Sequence, residues 1–157
     1  QNDLALPLLG SVLESNRLHL DRALQRIMDS GEKRIGILGL SFKAGTDDLR
    51  ESPSVWLIET LIGKGFQVKI YDPDVMLARI FGANKRYIEK EIPHISSLMS
   101  SDLKEVIEES DVIVVSKPSP EFQEALATHH GSKQIFDLVR IPLEGARAAL
   151  RYEGICW

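Results

Sequence analysis

From Lys33 onward, short apolar runs alternate with segments that have the 3.6-residue period of a helix. The runs are rich in Ile, Val and Leu, as buried strands are, and they are Lys33–Leu40, Phe66–Ile70, Asp111–Ser116 and Gln134–Leu138. Helix patterns separate them at Pro53–Lys64, Val75–Phe81, Asp102–Glu109 and Glu121–Thr128. Strands that alternate with helices in this way form a parallel sheet. The sequence therefore predicts an α/β fold, a parallel sheet covered by helices on both faces, which by itself implies no function.

A long amphipathic segment precedes this alternation. Between Leu8 and Met28 apolar residues recur near the helical period, and Gly31 follows as a C-terminal cap. No strand comes before this helix in the sequence, so it does not connect two strands of the sheet. It is interpreted either as the tail of a preceding domain or as a dimerisation helix, because an exposed apolar stripe favours pairing with a second copy.

Local signals predict the smaller elements. Residues 82–101 are irregular, with a short extended piece expected near Ile95. Asp102 followed by Glu105 is typical of a capping box at the start of a helix. Arg151–Trp157 is expected to add a short last strand.

The loop Ser41–Glu51 is the strongest functional signal. Strand-to-helix loops usually run about 2–6 residues. This loop is longer, and charged residues follow one another closely in it, as the stretch GLSFKAGTDDLRESP that contains it shows. Lys43 comes just off the strand end, where its ammonium can reach an anionic or hydroxyl-rich ligand. Arg50 carries a planar fork suited to a diphosphate. These residue types leave one alternative open, a solvated turn with surface cations.

The dinucleotide-binding fingerprint is absent from the sequence. Gly36 and Gly39 lie within the first strand pattern, and no G-x-G-x-x-G follows it. The sheet is therefore not predicted to be the primary NAD-binding half of an enzyme. Asp72 ends the second strand, where such a fold would hold a ribose. Without the glycines, Asp72 is interpreted as a turn residue before Pro73.

Composition excludes several classes of function. The 157 residues carry a net charge of −4, with no lysine- or arginine-rich segment for nucleic acid. No apolar run is long enough to span a membrane, and the first residues lack the pattern of a signal peptide. The only cysteine, Cys156, rules out an internal disulfide and a cysteine metal cluster. A single thiol suits the reducing cytoplasm, which is the predicted location.

The motif LGLSFKAGTDDLRESP resembles the signature of the C-terminal domain of nucleotide-sugar 6-dehydrogenases, the UDP-glucose/GDP-mannose dehydrogenase family. Within that family, GANKRYIEKEIPHISSLM and the ending EGICW are most similar to the GDP-mannose branch. The resemblance implies that residues 1–30 are the end of the long helix of a central, dimerising domain. It implies that residues 32–157 are a Rossmann-like domain that binds the nucleotide sugar. It further implies a homodimer and NAD as cofactor, held mainly by an upstream domain.

The resemblance also assigns roles within the charged loop. Lys43 would contact the nucleotide sugar, Arg50 would reach across a cleft to NAD, and Phe42 would contact substrate as in some UDP-sugar members. In those members a strand-end arginine after an Asp-Gly pair also holds substrate, and the local sequence DLVR at 137–140 departs from that pattern. The family reaction oxidises the C6 hydroxymethyl of the sugar to a carboxylate with two NAD+. It needs a nucleophilic cysteine that the resemblance places upstream of Gln1, so the chain alone is predicted to be inactive.

Other interpretations stand beside this one. The nearest alternative is the same chemistry on a UDP-sugar, and an alternative of another class is a free-standing nucleotide-binding or assembly module. Cys156 has no basic neighbour in sequence and is interpreted as a structural thiol. His129 and His130 lack further ligands nearby and are interpreted as a cationic pair at a helix end. Trp56 lies on the apolar side of its helix and is expected in the core.

Overall fold

The computed structural model of the chain describes residues 7–41, 49, 52–76, 92–128, 133–143 and 151–155, with the backbone alone at 7–10 and 13. The helices are α1 (Pro7–Asp29), α2 (Pro53–Gly63), α3 (Pro93–Ser96), α4 (Leu103–Glu109) and α5 (Pro120–Thr128). The strands are β1 (Arg34–Leu38), β2 (Gln67–Tyr71), β3 (Val112–Val115), β4 (Gln134–Asp137) and β5 (Arg151–Gly154). A helical turn covers 73–76.

The strands form one five-stranded sheet in the order β2-β1-β3-β4-β5. Every neighbouring pair is parallel, as the alternation of strand and helix patterns predicts. The chain leaves β1 for β2 on one side and then returns past β1 to β3 on the other. The strand order therefore reverses between β1 and β3, and such a reversal opens a crevice beyond the carboxyl ends of the strands.

Two apolar clusters cover the two faces of the sheet. The first joins Ile35 and Ile37 of β1 to buried residues of α1 and α2, including Ile27 and Leu57. The second joins residues of β1, β3 and β4 to α4 and α5, where Phe122 is fully buried. Successive strand residues point to opposite faces, so apolar residues along the strands supply both clusters. The prediction of helices on both faces is confirmed.

Among its described side chains, those that α1 buries against the sheet lie in its C-terminal half. Ala23, Leu24 and Ile27 are buried in the first cluster, whereas Val12 and Leu18 are 51% and 56% exposed. The predicted helix is confirmed, and Gly31 ends it with a φ of +77° and an N–H that donates to the carbonyl of Met28 at 3.2 Å. The first half of the helix thus carries apolar side chains that the described part of the chain leaves uncovered.

Two sequence predictions about local structure were wrong. The segment around Ile95 is the short helix α3 and not an extended piece, because Pro93 at its first turn is pre-organised for a helix. The extended contact falls later, where Met99 pairs with Ile70 beside β2. Trp56 is 38% exposed and not in the core, because α2 turns Leu57, Ile58 and Leu61 towards the sheet instead.

The predicted capping box at α4 is half correct. The Asp102 carboxylate accepts the N–H of Lys104 at 2.8 Å and that of Glu105, as an N-cap should. The Glu105 carboxylate does not accept the backbone N–H of Asp102, which donates to the Ser100 hydroxyl. It accepts instead from Lys69 at 2.8 Å and from the Ser100 hydroxyl.

The last strand is confirmed at Arg151–Gly154, and only the beginning of the helix predicted at Val75–Phe81 falls within the described residues. Among the helices that the structure describes, none has both the length and the apolar character needed to cross a membrane.

Candidate functional site

Three loops converge at the carboxyl edge of the sheet, and Asp72, which directly follows β2, lies at their centre. Its carboxylate is fully buried. One oxygen, Oδ2, accepts the backbone N–H of Leu40 at 2.7 Å and that of Ser41 at 3.0 Å, where the chain leaves β1. The other, Oδ1, accepts the N–H groups of Asp74 at 3.0 Å and Val75 at 3.3 Å. Asp72 therefore binds the turn after its own strand and the start of the loop after β1.

The partner of this carboxylate is Lys117, which comes from the loop after β3. Its Nζ lies 2.6 Å from Asp72 Oδ1, 2.9 Å from Asp74 Oδ2 and 3.1 Å from Ser41 Oγ, and the side chain is 3% exposed. An ammonium has three protons to donate, so these three acceptors satisfy it. A buried ion pair offsets the loss of hydration only when its remaining hydrogen bonds are made, and here they are.

The surroundings keep Asp72 ionised. Burial alone would raise the pKa of this carboxyl, but the hydrogen bonds from Lys117 and from the N–H groups of Ser41 and Leu40 lower the pKa below its ordinary value of 3.8. The interpretation of Asp72 as a turn residue is confirmed by its bonds to Asp74 and Val75. Since both oxygens are engaged by internal donors, this carboxylate is not available to a ribose as in a dinucleotide-binding sheet.

One hydrogen bond joins the two ends of the charged loop, and a second lies within its C-terminal end. The Ser52 hydroxyl donates to the carbonyl of Leu40 at 2.9 Å, and the Ser52 N–H donates to the carbonyl of Leu49 at 3.2 Å. The Leu49 side chain is 1% exposed and belongs to the first apolar cluster. The predicted ligand-binding residues of this loop, Phe42, Lys43 and Arg50, lie outside the described residues.

A cavity of about 450 Å³ opens beside this loop. The helix α1 contributes Asn16 and His19 to its lining, and hydroxyls come from Ser41 after β1, Ser54 in α2 and Ser116 after β3. Apolar lining residues complete the wall, namely Leu20, Ala23, Pro53, Leu57, Leu138 and Val139. Ligand pockets are typically apolar clefts of about 300–1,000 Å³ with a few polar groups, so this cavity has the size and character of a binding site.

One polar atom of this lining has no internal partner in the described part of the chain. The Nδ1 of His19 is buried and has no hydrogen-bond partner among the described residues. Buried polar atoms are nearly always satisfied by protein or by bound water. The imidazole of His19 is therefore a polar group of the lining whose Nδ1 has no partner among the described residues.

A second cavity, of about 660 Å³, lies at the opposite edge of the sheet, near the start of β1 and β2. Its cations are already paired with side chains of the same surface. Lys69 lies 2.6–2.8 Å from Glu105 and Glu109, and Arg34 makes two bonds to Asp111. Because ligands of open parallel sheets bind beyond the carboxyl ends of the strands, the smaller cavity is the stronger candidate.

The end of β4 completes the carboxyl edge. Asp137 is fully buried and accepts the N–H groups of Val139 at 2.9 Å and Ile141 at 2.8 Å, together with the Tyr152 hydroxyl. Between those two amides Arg140 has a φ of +58°, a conformation that no other described non-glycine residue adopts. The carboxylate of Asp137 thus fixes a turn that holds the exposed Arg140 in an uncommon backbone conformation.

Sequence reasoning missed Lys117 and the lining residues of α1. The available signal was a lysine two residues after the fully apolar strand β3. His129, His130 and Cys156 lie outside the described residues. Within the described segments, no group of three or more His, Cys, Asp or Glu side chains is placed to hold a metal ion.

The doubly wound parallel sheet, with its cavity at the point where the strand order reverses, defines a Rossmann-like ligand-binding domain. The sequence pattern of the UDP-glucose/GDP-mannose dehydrogenase family, UDP binding domain, matches residues 36–142. The chain therefore belongs to the UDP-glucose/GDP-mannose dehydrogenase family.

Individual relatives refine this assignment. The GDP-mannose 6-dehydrogenase of Pseudomonas putida is 46% identical over 155 residues, which is 99% of this chain and 35% of the relative. The UDP-glucose 6-dehydrogenase of Rickettsia typhi is 32% identical over 141 residues, covering 87% of this chain and 29% of the relative. The chain thus spans about a third of the length of the relatives that it matches, and its identity is higher with the first.

Solved structures give the same ordering. The ternary complex of GDP-mannose dehydrogenase from Pseudomonas aeruginosa superposes with a TM-score of 0.89 at 46% identity, covering 99% of this chain and 35% of that one. A UDP-glucose dehydrogenase from Pyrobaculum islandicum gives a TM-score of 0.72 at 25% identity, covering 94% of this chain and 32% of that one. The predicted α/β fold with a preceding long helix is thereby confirmed.

Proposed function

We propose that the chain is the nucleotide-sugar-binding part of an NAD-dependent GDP-mannose 6-dehydrogenase. The observation that carries this proposal is 46% identity over nearly the whole chain to relatives named for that activity. The reaction converts GDP-mannose, two NAD+ and water into GDP-mannuronate and two NADH, with release of protons. Residues 1–30 then belong to the long helix of a central domain, residues 32–157 form the domain that binds the substrate, and the enzyme works in the cytoplasm.

The cavity at the carboxyl edge supports this assignment. Its hydroxyls at Ser41, Ser54 and Ser116 suit the polar groups of a nucleotide sugar, and its apolar wall suits the face of a base. The domain does not offer the acidic strand end of a dinucleotide site, because Asp72 is already engaged by Lys117. We therefore assign NAD to an upstream domain, where it would supply the hydride acceptor, and to this chain only the contact from Arg50.

A UDP-sugar is the second candidate substrate. The family description of this domain as UDP binding, and the 32% identity to a UDP-glucose 6-dehydrogenase, favour it. Parallel titrations of the intact protein with GDP-mannose and UDP-glucose separate the two. Tighter binding of UDP-glucose would contradict the GDP-mannose assignment.

In the intact protein we expect Lys43→Ala to weaken binding of the nucleotide sugar and Arg50→Ala to weaken binding of NAD. Each lost charge-assisted contact is worth roughly 1.5–3 kcal/mol, about ten- to a hundredfold in affinity. Arg50→Lys should recover little, because a point charge does not reproduce bidentate geometry. Titration of both ligands against each variant measures these effects.

The matched control for that experiment is Lys104→Ala, which removes an exposed lysine of α4 and should change neither affinity. The chain 1–157 alone, incubated with GDP-mannose and NAD+, should form no NADH. Near-wild-type affinities in the Lys43 and Arg50 variants would show that the loop is a solvated turn and does not bind either ligand.

We further propose that the protein forms a homodimer through α1. Val12 and Leu18 expose about half of their apolar surface, and apolar stripes of this kind favour pairing with a second copy. Replacing both by glutamate should shift the mass measured by light scattering from dimer to monomer. The control Glu14→Lys alters an exposed charge on the same helix, and dissociation by it as well would contradict a specific apolar contact.

A further inference from the structure

The contacts around Lys117 join the loops after three adjacent strands. Lys117 follows β3, Asp72 follows β2, and the Leu40 and Ser41 amides that Asp72 binds follow β1. The carboxylate and the ammonium come from positions 45 residues apart in sequence. Hydrogen bonds to a charged group are stronger than neutral ones, so this network is a rigid connection across the point where the strand order reverses.

The part of the network that bears on a ligand is its hold on the start of the charged loop. Asp72 Oδ2 accepts two consecutive backbone N–H groups, those of Leu40 and Ser41, and Lys117 Nζ also donates to the Ser41 hydroxyl at 3.1 Å. On the other side of the same peptide, the Leu40 carbonyl accepts from Ser52 at 2.9 Å. The Leu40–Ser41 peptide, where the loop after β1 begins, is therefore held by charged and polar contacts on both sides.

The neighbouring backbone is built to let Lys117 reach this position. Gly39 has a φ of +100°, and a Cβ placed on it would lie 2.4 Å from Lys117 Cβ and 3.0 Å from the Lys117 amide nitrogen. Only glycine permits both the conformation and the close approach. The Ser116 hydroxyl donates to the Gly39 carbonyl at 2.6 Å, which ties the end of β1 to the residue before Lys117.

We propose that Lys117, through its ion pair with Asp72, is a positioning residue for the nucleotide-sugar site. The pair fixes the backbone of Leu40 and Ser41, where the loop after β1 begins, and so sets the position of the part of the cavity wall that Ser41 forms. Lys117 itself is buried and its protons are engaged, so it acts through the loop and not by contact. This inference rests on the proposed function of the loop.

The test uses the intact protein with Lys117→Met and, as a milder change that keeps a donor, Lys117→Gln. Hydrogen-exchange mass spectrometry of peptides containing Leu40 and Ser41 reports the loop position, and titration with GDP-mannose and with NAD reports binding. We expect at least about tenfold faster exchange in those peptides and at least about tenfold weaker binding of GDP-mannose. Binding of NAD should stay within about twofold.

The matched control is Val106→Ala, which creates a buried cavity in the cluster on the other face of the sheet. It should lower the melting temperature without changing the affinity for GDP-mannose. Lys117 variants that bind GDP-mannose like the wild type, or that lose both ligands equally, would overturn the proposal. Failure of the wild-type protein to bind the nucleotide sugar would instead overturn the proposed function, and this inference with it.

Discussion

Replacing Lys117 by methionine is expected to lower the free energy of unfolding by about 3–5 kcal/mol, because it leaves the buried Asp72 carboxylate without its counter-charge. Asp72 is fully buried and Lys117 is 3% exposed, so solvent cannot take the place of the lost ammonium. Two further acceptors of Lys117, Asp74 and Ser41, lose a donor in the same variant. Urea denaturation of the chain, followed by circular dichroism, measures the change.

The same substitution at Lys69 is the control for this effect. Lys69 is paired with Glu105 and Glu109, but all three side chains are more than a third exposed. Surface ion pairs contribute little because water screens them, so Lys69→Met should destabilise far less than Lys117→Met. Combining Lys117→Met with Asp72→Asn should recover part of the loss, since the charge then disappears from the interior. Equal destabilisation by the two lysine variants would contradict the importance of burial.

Acid unfolding should respond to the same substitution. The pKa of Asp72 is lower in the folded state than its ordinary value. Its contribution to stability is therefore present above about pH 4 and is lost as the pH falls through the lowered folded value. Burial raises the pKa of Asp72, and without Lys117 fewer hydrogen bonds counteract that rise. The acid limb of the unfolding profile should therefore begin at a higher pH.

The second large effect is expected for Gly39→Ala, which should destabilise the fold by roughly 3 kcal/mol or more. A positive φ of +100° costs about 1–3 kcal/mol for a residue with a side chain. The added methyl would also lie 2.4 Å from Lys117 Cβ and 3.0 Å from a backbone nitrogen, an overlap that costs about a further 1–3 kcal/mol to relieve. Thermal or urea denaturation measures the loss.

Gly63→Ala provides the matched control for Gly39. Gly63 is the last residue of α2, and a Cβ placed on it would meet nothing within 4 Å. Alanine is the better helix former by about 1 kcal/mol in a helix interior, so this variant should be neutral or slightly stabilising. A similar loss of stability in both variants would show that the close approach at Gly39 does not add to the destabilisation.

The sequence by itself determined the elements and their class. Apolar runs at β1, β3 and β4, and periodic segments at α1 and α2, were predicted within a residue or two of their bounds. Such patterns are read locally, since period 2 and period 3.6 follow from the geometry of each backbone conformation. The charged loop after β1 was also visible, because length and charge belong to one continuous segment.

The tertiary structure decided what that segment is attached to. The bond between Lys117 and Asp72 spans 45 residues, and nothing in either local sequence indicates that the two strand ends adjoin β1 from opposite sides. The partner of Glu105 was mispredicted for the same reason, since Lys69 reaches it from another element and outcompetes the local cap. The prediction for Trp56 was wrong because the packing of Leu57 and Ile58 decides which side of α2 faces the sheet. The helix pattern alone does not decide it. Strand order is a property of the whole chain, and it is strand order that brings a buried lysine to the base of the loop.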